Sequence, residues 1–167
     1  MAEALATAPL VPVLQGLELL PLAVAMRESV WMYPTVESLH IAGIAGLFGT
    51  ILLLDLRLLG FGEALGLTPL MRLVLPVAFF SFGLVVATGS LMFLAHAQEF
   101  LASPLFIYKI GLIMALVLNA AVLHLRQPMH ARQGYAPALG GLGGLQVFLS
   151  MTGWLAAIGL GRWLAYV

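Results

Sequence analysis

The feature that most constrains this chain is a series of four apolar runs, each long enough to cross a lipid bilayer as a helix. A span needs about 20 apolar residues, because the hydrocarbon core is roughly 30 Å thick and a helix rises about 1.5 Å per residue. The runs cover residues 34–59, 69–97, 104–125 and 141–163. We therefore predict an all-α fold, an integral membrane four-helix bundle.

Three of the four runs carry a proline in their first turn, namely Pro34, Pro69 and Pro104. Proline is tolerated there because the first N–H groups of a helix have no intrahelical partner. The starts of these spans are therefore expected close to the prolines, and the transmembrane domain is expected to cover residues 34–167.

The first 33 residues are expected to form a separate segment at the membrane surface. Residues 10–26 are apolar, but they are too short and too interrupted for an ordinary span. The interrupting residues are Pro12, Gln15, Glu18 and Pro21. We predict an N-terminal amphipathic helix lying at the interface, with a fifth span as the alternative. Residues 1–9 contain Glu3 and no Lys or Arg, which is not typical of a cleaved signal peptide.

The composition excludes several classes of function. Charged residues make up 8% of the chain, against about 25% in ordinary globular proteins. The net charge is zero, so the basic surface that nucleic acids require is missing. The chain has no cysteine, which excludes disulfides, thiolate metal sites and iron–sulfur clusters.

The basic residues are distributed unequally between the two sides of the predicted bundle. Four of the seven lie near the loops that follow the first and third spans. They are Arg57, Arg72, Arg126 and Arg132. Because cytoplasmic loops carry an excess of Lys and Arg, we predict that these loops are cytoplasmic and that both termini are periplasmic.

Each span contributes one ionisable residue to the predicted outer leaflet. Such groups are costly inside a membrane and by default indicate a functional site. His40 lies six residues into the first span, and His96 lies near the end of the second. Lys109 lies five residues into the third span, and Arg162 lies at the end of the fourth. Since successive spans run in opposite directions, we expect the four side chains to converge.

This combination of residue types is typical of a b-type haem site. Such a haem is held by two axial ligands that face each other across a helical bundle, and imidazole is a common ligand. His40 and His96 are therefore predicted to ligate the iron. The two haem propionates need cations or water, so Lys109 and Arg162 are predicted to bind them.

Small and hydroxyl residues accompany both histidines. Gly43 is three residues after His40, and Gly89 is seven residues before His96, so each glycine shares a helix face with a predicted ligand and leaves room for the macrocycle. Ser90 and Thr88 are expected to form hydrogen bonds nearby. The predicted function is a membrane b-type cytochrome that transfers electrons at the periplasmic face, with a quinone or a periplasmic redox protein as partner.

Other functions fit the same residues. The outer histidines would bind copper or another ion in a metal-handling or transport protein. In a structural subunit, they would form only hydrogen bonds.

A second haem at His124 is not expected, because no second histidine lies at its depth. Asp55 is expected to pair with Arg57 or Arg126 and so close the cytoplasmic end. Small-residue faces on the first and fourth spans favour a homo-oligomer.

Two stretches of the chain resemble a family of small, functionally uncharacterised bacterial inner-membrane proteins. The first is ESLHIAGI at 37–44, followed by DLRLLG at 55–60. The second is PLFIYK at 104–109, followed by Asn119 and His124. The layout more loosely resembles four-helix membrane cytochromes of the b561 kind, which bind two haems with histidines in both leaflets. This chain departs from that pattern, because its candidate pair lies in one leaflet.

Overall fold

The computed structural model describes residues 11–62, 64–126, 141–164 and 166, with the side chains of 123–126 and 142 excepted. Within these residues the chain forms seven α-helices and no strand. The helices are α1 (Val11–Glu18), α2 (Pro21–Glu28), α3 (Met32–Leu58), α4 (Leu67–Ala95), α5 (Ala97–Ala102), α6 (Pro104–Arg126) and α7 (Leu142–Trp163).

Four of these helices, α3, α4, α6 and α7, are long and apolar enough to cross a membrane. The mean hydropathy of their most apolar stretches lies between 1.4 and 2.1. Each predicted span boundary lies within two residues of the observed helix end. The prediction of an all-α, multi-pass membrane bundle is confirmed.

The helices α3 and α4 form the closest pair in the bundle. Buried residues recur on α4 at intervals of seven, which is the spacing of coiled-coil packing. They are Leu67, Val74, Ser81, Thr88 and Ala95. Glycines face them from α3, because a Cβ atom on Gly46 would lie 2.5 Å from Ser81 Oγ, and one on Gly43 would lie 2.9 Å from Val85 Cγ2. The small face of α3 therefore packs within the chain, and the homo-oligomer stays a prediction.

The helix α7 packs between α3 and α6. A buried cluster of Leu47, Leu116, Trp154 and Ala157 joins these three helices. Gly153 permits the contact with α6, since a Cβ atom there would lie 2.5 Å from Leu116 Cδ2. The four long helices therefore follow the spatial order α4, α3, α7, α6.

Neighbouring long helices run in opposite directions, so the bundle has two distinct ends. The contacts of Gly46 with Ser81 and of His40 with Gly89 show this for α3 and α4. We call the end formed by the starts of α3 and α6 the His40 end. We call the opposite end, which carries the turn over residues 59–66, the Asp55 end.

The N-terminal residues form two short helices docked on the His40 end. The predicted single helix over 10–26 is divided into α1 and α2 just before Pro21; residue 10 and those before it lie outside the described residues. Met26 of α2 is fully buried and packs with Val36 and Ala95. Whether this hairpin also lies at a membrane interface stays a prediction.

Polar contacts fix the hairpin to the junction of α4 and α5. The Glu18 carboxylate accepts hydrogen bonds from the Gln98 backbone N–H at 2.8 Å and from Gln98 Nε2 at 2.6 Å. Arg27 donates to the carbonyl of Ala95 at 2.9 Å and to that of Glu18 at 2.7 Å. Glu18, which interrupts an apolar run in the sequence, therefore has a docking role in the structure.

These contacts predict a pH-dependent docking of α1 and α2. Burial raises the pKa of Glu18, but the Gln98 hydrogen bonds and the charge of Arg27 outweigh it, so the pKa lies below its usual value. A carboxyl whose pKa is lower in the docked state than in the undocked state stabilises docking when it is ionised. That stabilisation is complete above the undocked pKa, about 4.3, and is lost as the pH falls through the lower pKa of the docked state. We expect lower amide protection factors, which are exchange rates corrected for the intrinsic effect of pH, in α1 and α2 at pH values below about 4.

The variant Glu18→Gln is expected to speed the same exchange at neutral pH, because one of the two carboxylate oxygens that accept from Gln98 becomes an NH₂ donor and the charge near Arg27 is lost. Glu28→Gln is the matched control, since Glu28 is exposed on α2. Equal exchange in Glu18→Gln and the unchanged protein would contradict the docking role.

Candidate functional site

His40 lies half-buried on α3 and is held by Thr88 of α4. The distance between His40 Nδ1 and Thr88 Oγ1 is 2.8 Å. The Thr88 hydroxyl donates its own proton to the Leu84 carbonyl at 2.6 Å, so towards His40 it acts as the acceptor. The Val85 carbonyl also lies close to the ring. The imidazole therefore carries its proton on Nδ1, which leaves a lone pair on Nε2.

Gly89 provides the space that the imidazole occupies. A Cβ atom on Gly89 would lie 3.2 Å from His40 Cε1 and 3.7 Å from Nδ1. A larger side chain would displace the ring from Thr88. Gly89 thus supports the predicted site through direct contact with His40.

Lys109 of α6 contacts α7 and lies within electrostatic range of His40. Its ammonium lies close to α7, because a Cβ atom on Gly161 would lie 3.0 Å from Lys109 Nζ. Its positive charge acts on His40. Within the described residues it makes neither a hydrogen bond nor an ion pair. An ammonium without a counter-charge inside a span costs free energy. An anionic group bound beside Lys109 would lower that cost and would therefore be stabilised there.

His96 has different surroundings, at the junction of α4 and α5. Its Nδ1 lies 3.3 Å from a carboxylate oxygen of Glu99. Its ring makes edge contacts with Tyr33, at 5.8 Å between centroids, and with Phe100, at 6.3 Å. These are the contacts of a residue at the end of the bundle.

The structure does not bring His40 and His96 together. His40 is level with Gly89, and seven residues separate Gly89 from His96, which corresponds to about 10 Å along the helix axis. The apolar side chains of Val36 and Met92 lie in the layer between the two levels. Two axial ligands must both reach one iron atom, so the predicted histidine pair is not assembled in this fold.

Two further predicted residues lie outside the His40 group. Arg162 is exposed, donates to the Tyr166 hydroxyl and lies 4.7 Å from the centroid of the Tyr166 ring. Gly43 packs against Val85. Of the six predicted site residues, the structure therefore places His40 and Gly89 in direct contact and Lys109 within electrostatic range of His40. The expected hydrogen bond of Thr88 is present, and Gly161 is added through its contact with Lys109. We call these five residues the His40 site.

A second polar group lies at the Asp55 end. Asp55, Arg57 and Ser150 are each at most 4% exposed. Arg57 Nε donates to the Leu65 carbonyl at 2.7 Å, while the Ser150 hydroxyl lies beside the Asp55 carboxyl. The expected pairing of Asp55 with Arg57 is not found, because residues two apart lie on opposite sides of a helix. The side chains of His124 and Arg126 lie outside the described residues.

Comparison with protein families, with curated proteins and with solved structures found no match to this chain. Over the described residues, no group of three or more His, Cys, Asp or Glu side chains has the arrangement of a metal site.

Proposed function

We propose that this protein is a membrane b-type haem protein that transfers electrons, in which His40 would bind the iron. The observation that carries the proposal is the 2.8 Å contact between His40 Nδ1 and Thr88 Oγ1, in which the Thr88 hydroxyl is the acceptor because its proton goes to the Leu84 carbonyl. Metal-ligating histidines almost always donate their second ring N–H to a neighbouring acceptor, which fixes the tautomer and the ring orientation. Thr88 does this for His40 and leaves Nε2 as the ligand atom.

The charge of the site also suits haem. Lys109 brings an ammonium without a counter-charge among the described residues, and haem carries two propionate carboxylates that charged hydrogen bonds stabilise. The haem macrocycle supplies four nitrogen ligands to the iron, so the protein can hold the iron with a single imidazole. A bare copper ion takes several protein ligands, and His40 is the one imidazole in this group. The donor set of the His40 site therefore fits haem better than copper.

The bound haem would supply one-electron chemistry. The chain would hold the imidazole through Thr88, neutralise a carboxylate through Lys109 and exclude water with its apolar helices. In this proposal the His40 end faces the periplasm of a bacterial inner membrane, following the distribution of basic residues, and electrons are exchanged with a quinone or a periplasmic protein. His96 and Arg162 are not part of the proposed ligand set.

The test is the optical spectrum of the purified protein, recorded oxidised and reduced, together with its iron and copper content. We expect a reduced α band, haem that can be extracted as the pyridine complex, and iron in proportion to protein. Copper without iron would favour the metal-handling alternative. A colourless protein that binds no added haem would overturn the proposal.

A further inference from the structure

Asp55 is a deeply buried carboxyl with an incomplete set of hydrogen bonds. It lies three residues before the end of α3 and is 4% exposed. One carboxyl oxygen, Oδ2, has no hydrogen-bond partner within the described part of the chain. Buried polar atoms are nearly always paired, so an orphaned carboxyl oxygen inside a span requires an explanation.

The groups packed around Asp55 bring it no described positive charge. From α7 it meets the Ser150 hydroxyl, which is neutral. The neighbouring layer between α3, α4 and α7 is formed by Leu58, Leu67 and Val147. Arg57 faces away and donates to Leu65 of the following turn, and Arg72 of α4 is exposed.

An ionised carboxylate in these surroundings would be far more costly than the neutral acid. Removing a charge from water without a partner costs several kcal/mol or more, and groups so placed usually become neutral instead. The uncharged acid loses much less on burial, and the Ser150 hydroxyl can donate to its carbonyl oxygen. Protonation therefore accounts for a buried carboxyl that has one neutral neighbour.

We propose that Asp55 is a proton-binding site within the membrane and that it holds a proton at neutral pH. Asp55 lies roughly 5 Å from the end of α3, so we expect the proton to exchange with water at the Asp55 end. This activity is separate from the haem proposal, since it uses residues at the opposite end of the bundle and does not require a cofactor.

Infrared spectroscopy of the full chain in lipid nanodiscs tests the proposal. At neutral pH we expect the C=O band of a protonated carboxylic acid, which Asp55→Asn removes. Glu37→Gln is the matched control, because Glu37 is an exposed carboxyl on the same helix, and it should leave the band unchanged. In D₂O the band should shift, since the acid proton exchanges.

Absence of the band in the unchanged protein would overturn the proposal, as would a band that Asp55→Asn leaves intact. A second measurement needs no variant. A hydrophobic carbodiimide reacts with protonated carboxyls in apolar surroundings, so we expect mass spectrometry to find Asp55 modified and Glu37 unmodified at neutral pH. Failure to modify Asp55 would count against protonation, and neither result depends on whether haem binds at His40.

Discussion

Gly46→Leu is expected to break the packing of α3 against α4 and to destabilise the protein by about 3 kcal/mol, the upper part of the usual range for overpacked cores. The first atom of the new side chain would already lie 2.5 Å from Ser81 Oγ. Rotating Ser81 relieves the contact with that atom, but the rest of a leucine has to enter the same interface. The measurement is unfolding in detergent, followed by tryptophan fluorescence, to which Trp154 in the adjoining core contributes the buried signal.

Gly49→Leu is the matched control for this prediction. Gly49 lies three residues further along α3, and no neighbouring heavy atom lies within 4 Å of a Cβ built there. Replacing glycine also removes a residue with poor helix propensity, so we expect little loss of stability or a small gain. Equal destabilisation by the two variants would mean that α3 does not pack on α4 through Gly46.

His40→Ala is expected to lower the haem content of the purified protein at least tenfold. Losing an outer-shell partner of a metal ligand already costs about 10-fold to 100-fold in affinity, and this variant removes the ligand itself. His96→Ala is expected to keep its haem, because His96 contacts Tyr33 and Glu99 about 10 Å further along the bundle. The measurement is haem per protein for both variants, purified side by side.

This comparison separates the single-histidine site from the histidine pair that the sequence suggested. Equal loss of haem in both variants would restore the pair and would require a register of α3 and α4 different from the one described. Retention of haem by His40→Ala would remove His40 from the ligand set. Circular dichroism of each variant checks that the helices are intact, so that haem loss reflects the site.

The membrane helices could be predicted closely from the sequence, because their signal is simple. An apolar run that matches the bilayer thickness, opened by a proline such as Pro34, Pro69 or Pro104, leaves little freedom in where a span begins. The residue pattern also identified His40, Gly89 and Lys109, which the fold brings into one site. These three are polar or small positions at about the same depth in different helices.

The separation of His40 from His96 could not be obtained by counting residues from the predicted span ends. That count ignores the register between α3 and α4, which depends on where glycines allow close approach. The contact of Gly46 with Ser81 aligns His40 with Gly89 and leaves His96 about 10 Å further out. Ser81 and Thr88 are seven residues apart and so lie on the same buried face of α4. That spacing of two hydroxyl residues was the sequence signal for the face of α4 that meets α3.

The N-terminal hairpin was missed for a different reason. Glu18 and Arg27 make their hydrogen bonds with Ala95 and Gln98, which are about 70 to 80 residues away in the chain. Local hydrophobic periodicity carries no information about such distant partners, so the segment resembled an isolated interfacial helix.

The most direct measurement of the central claim is the recovery of the haem spectrum in His40→Gly on adding imidazole. If the Nε2 atom of His40 ligates the iron, free imidazole should enter the space of the deleted side chain and restore the reduced α band in a concentration-dependent manner. His96→Gly should show the full spectrum without imidazole. A His40→Gly protein whose spectrum is complete before imidazole is added, or His96→Gly that needs imidazole to recover, would contradict the account.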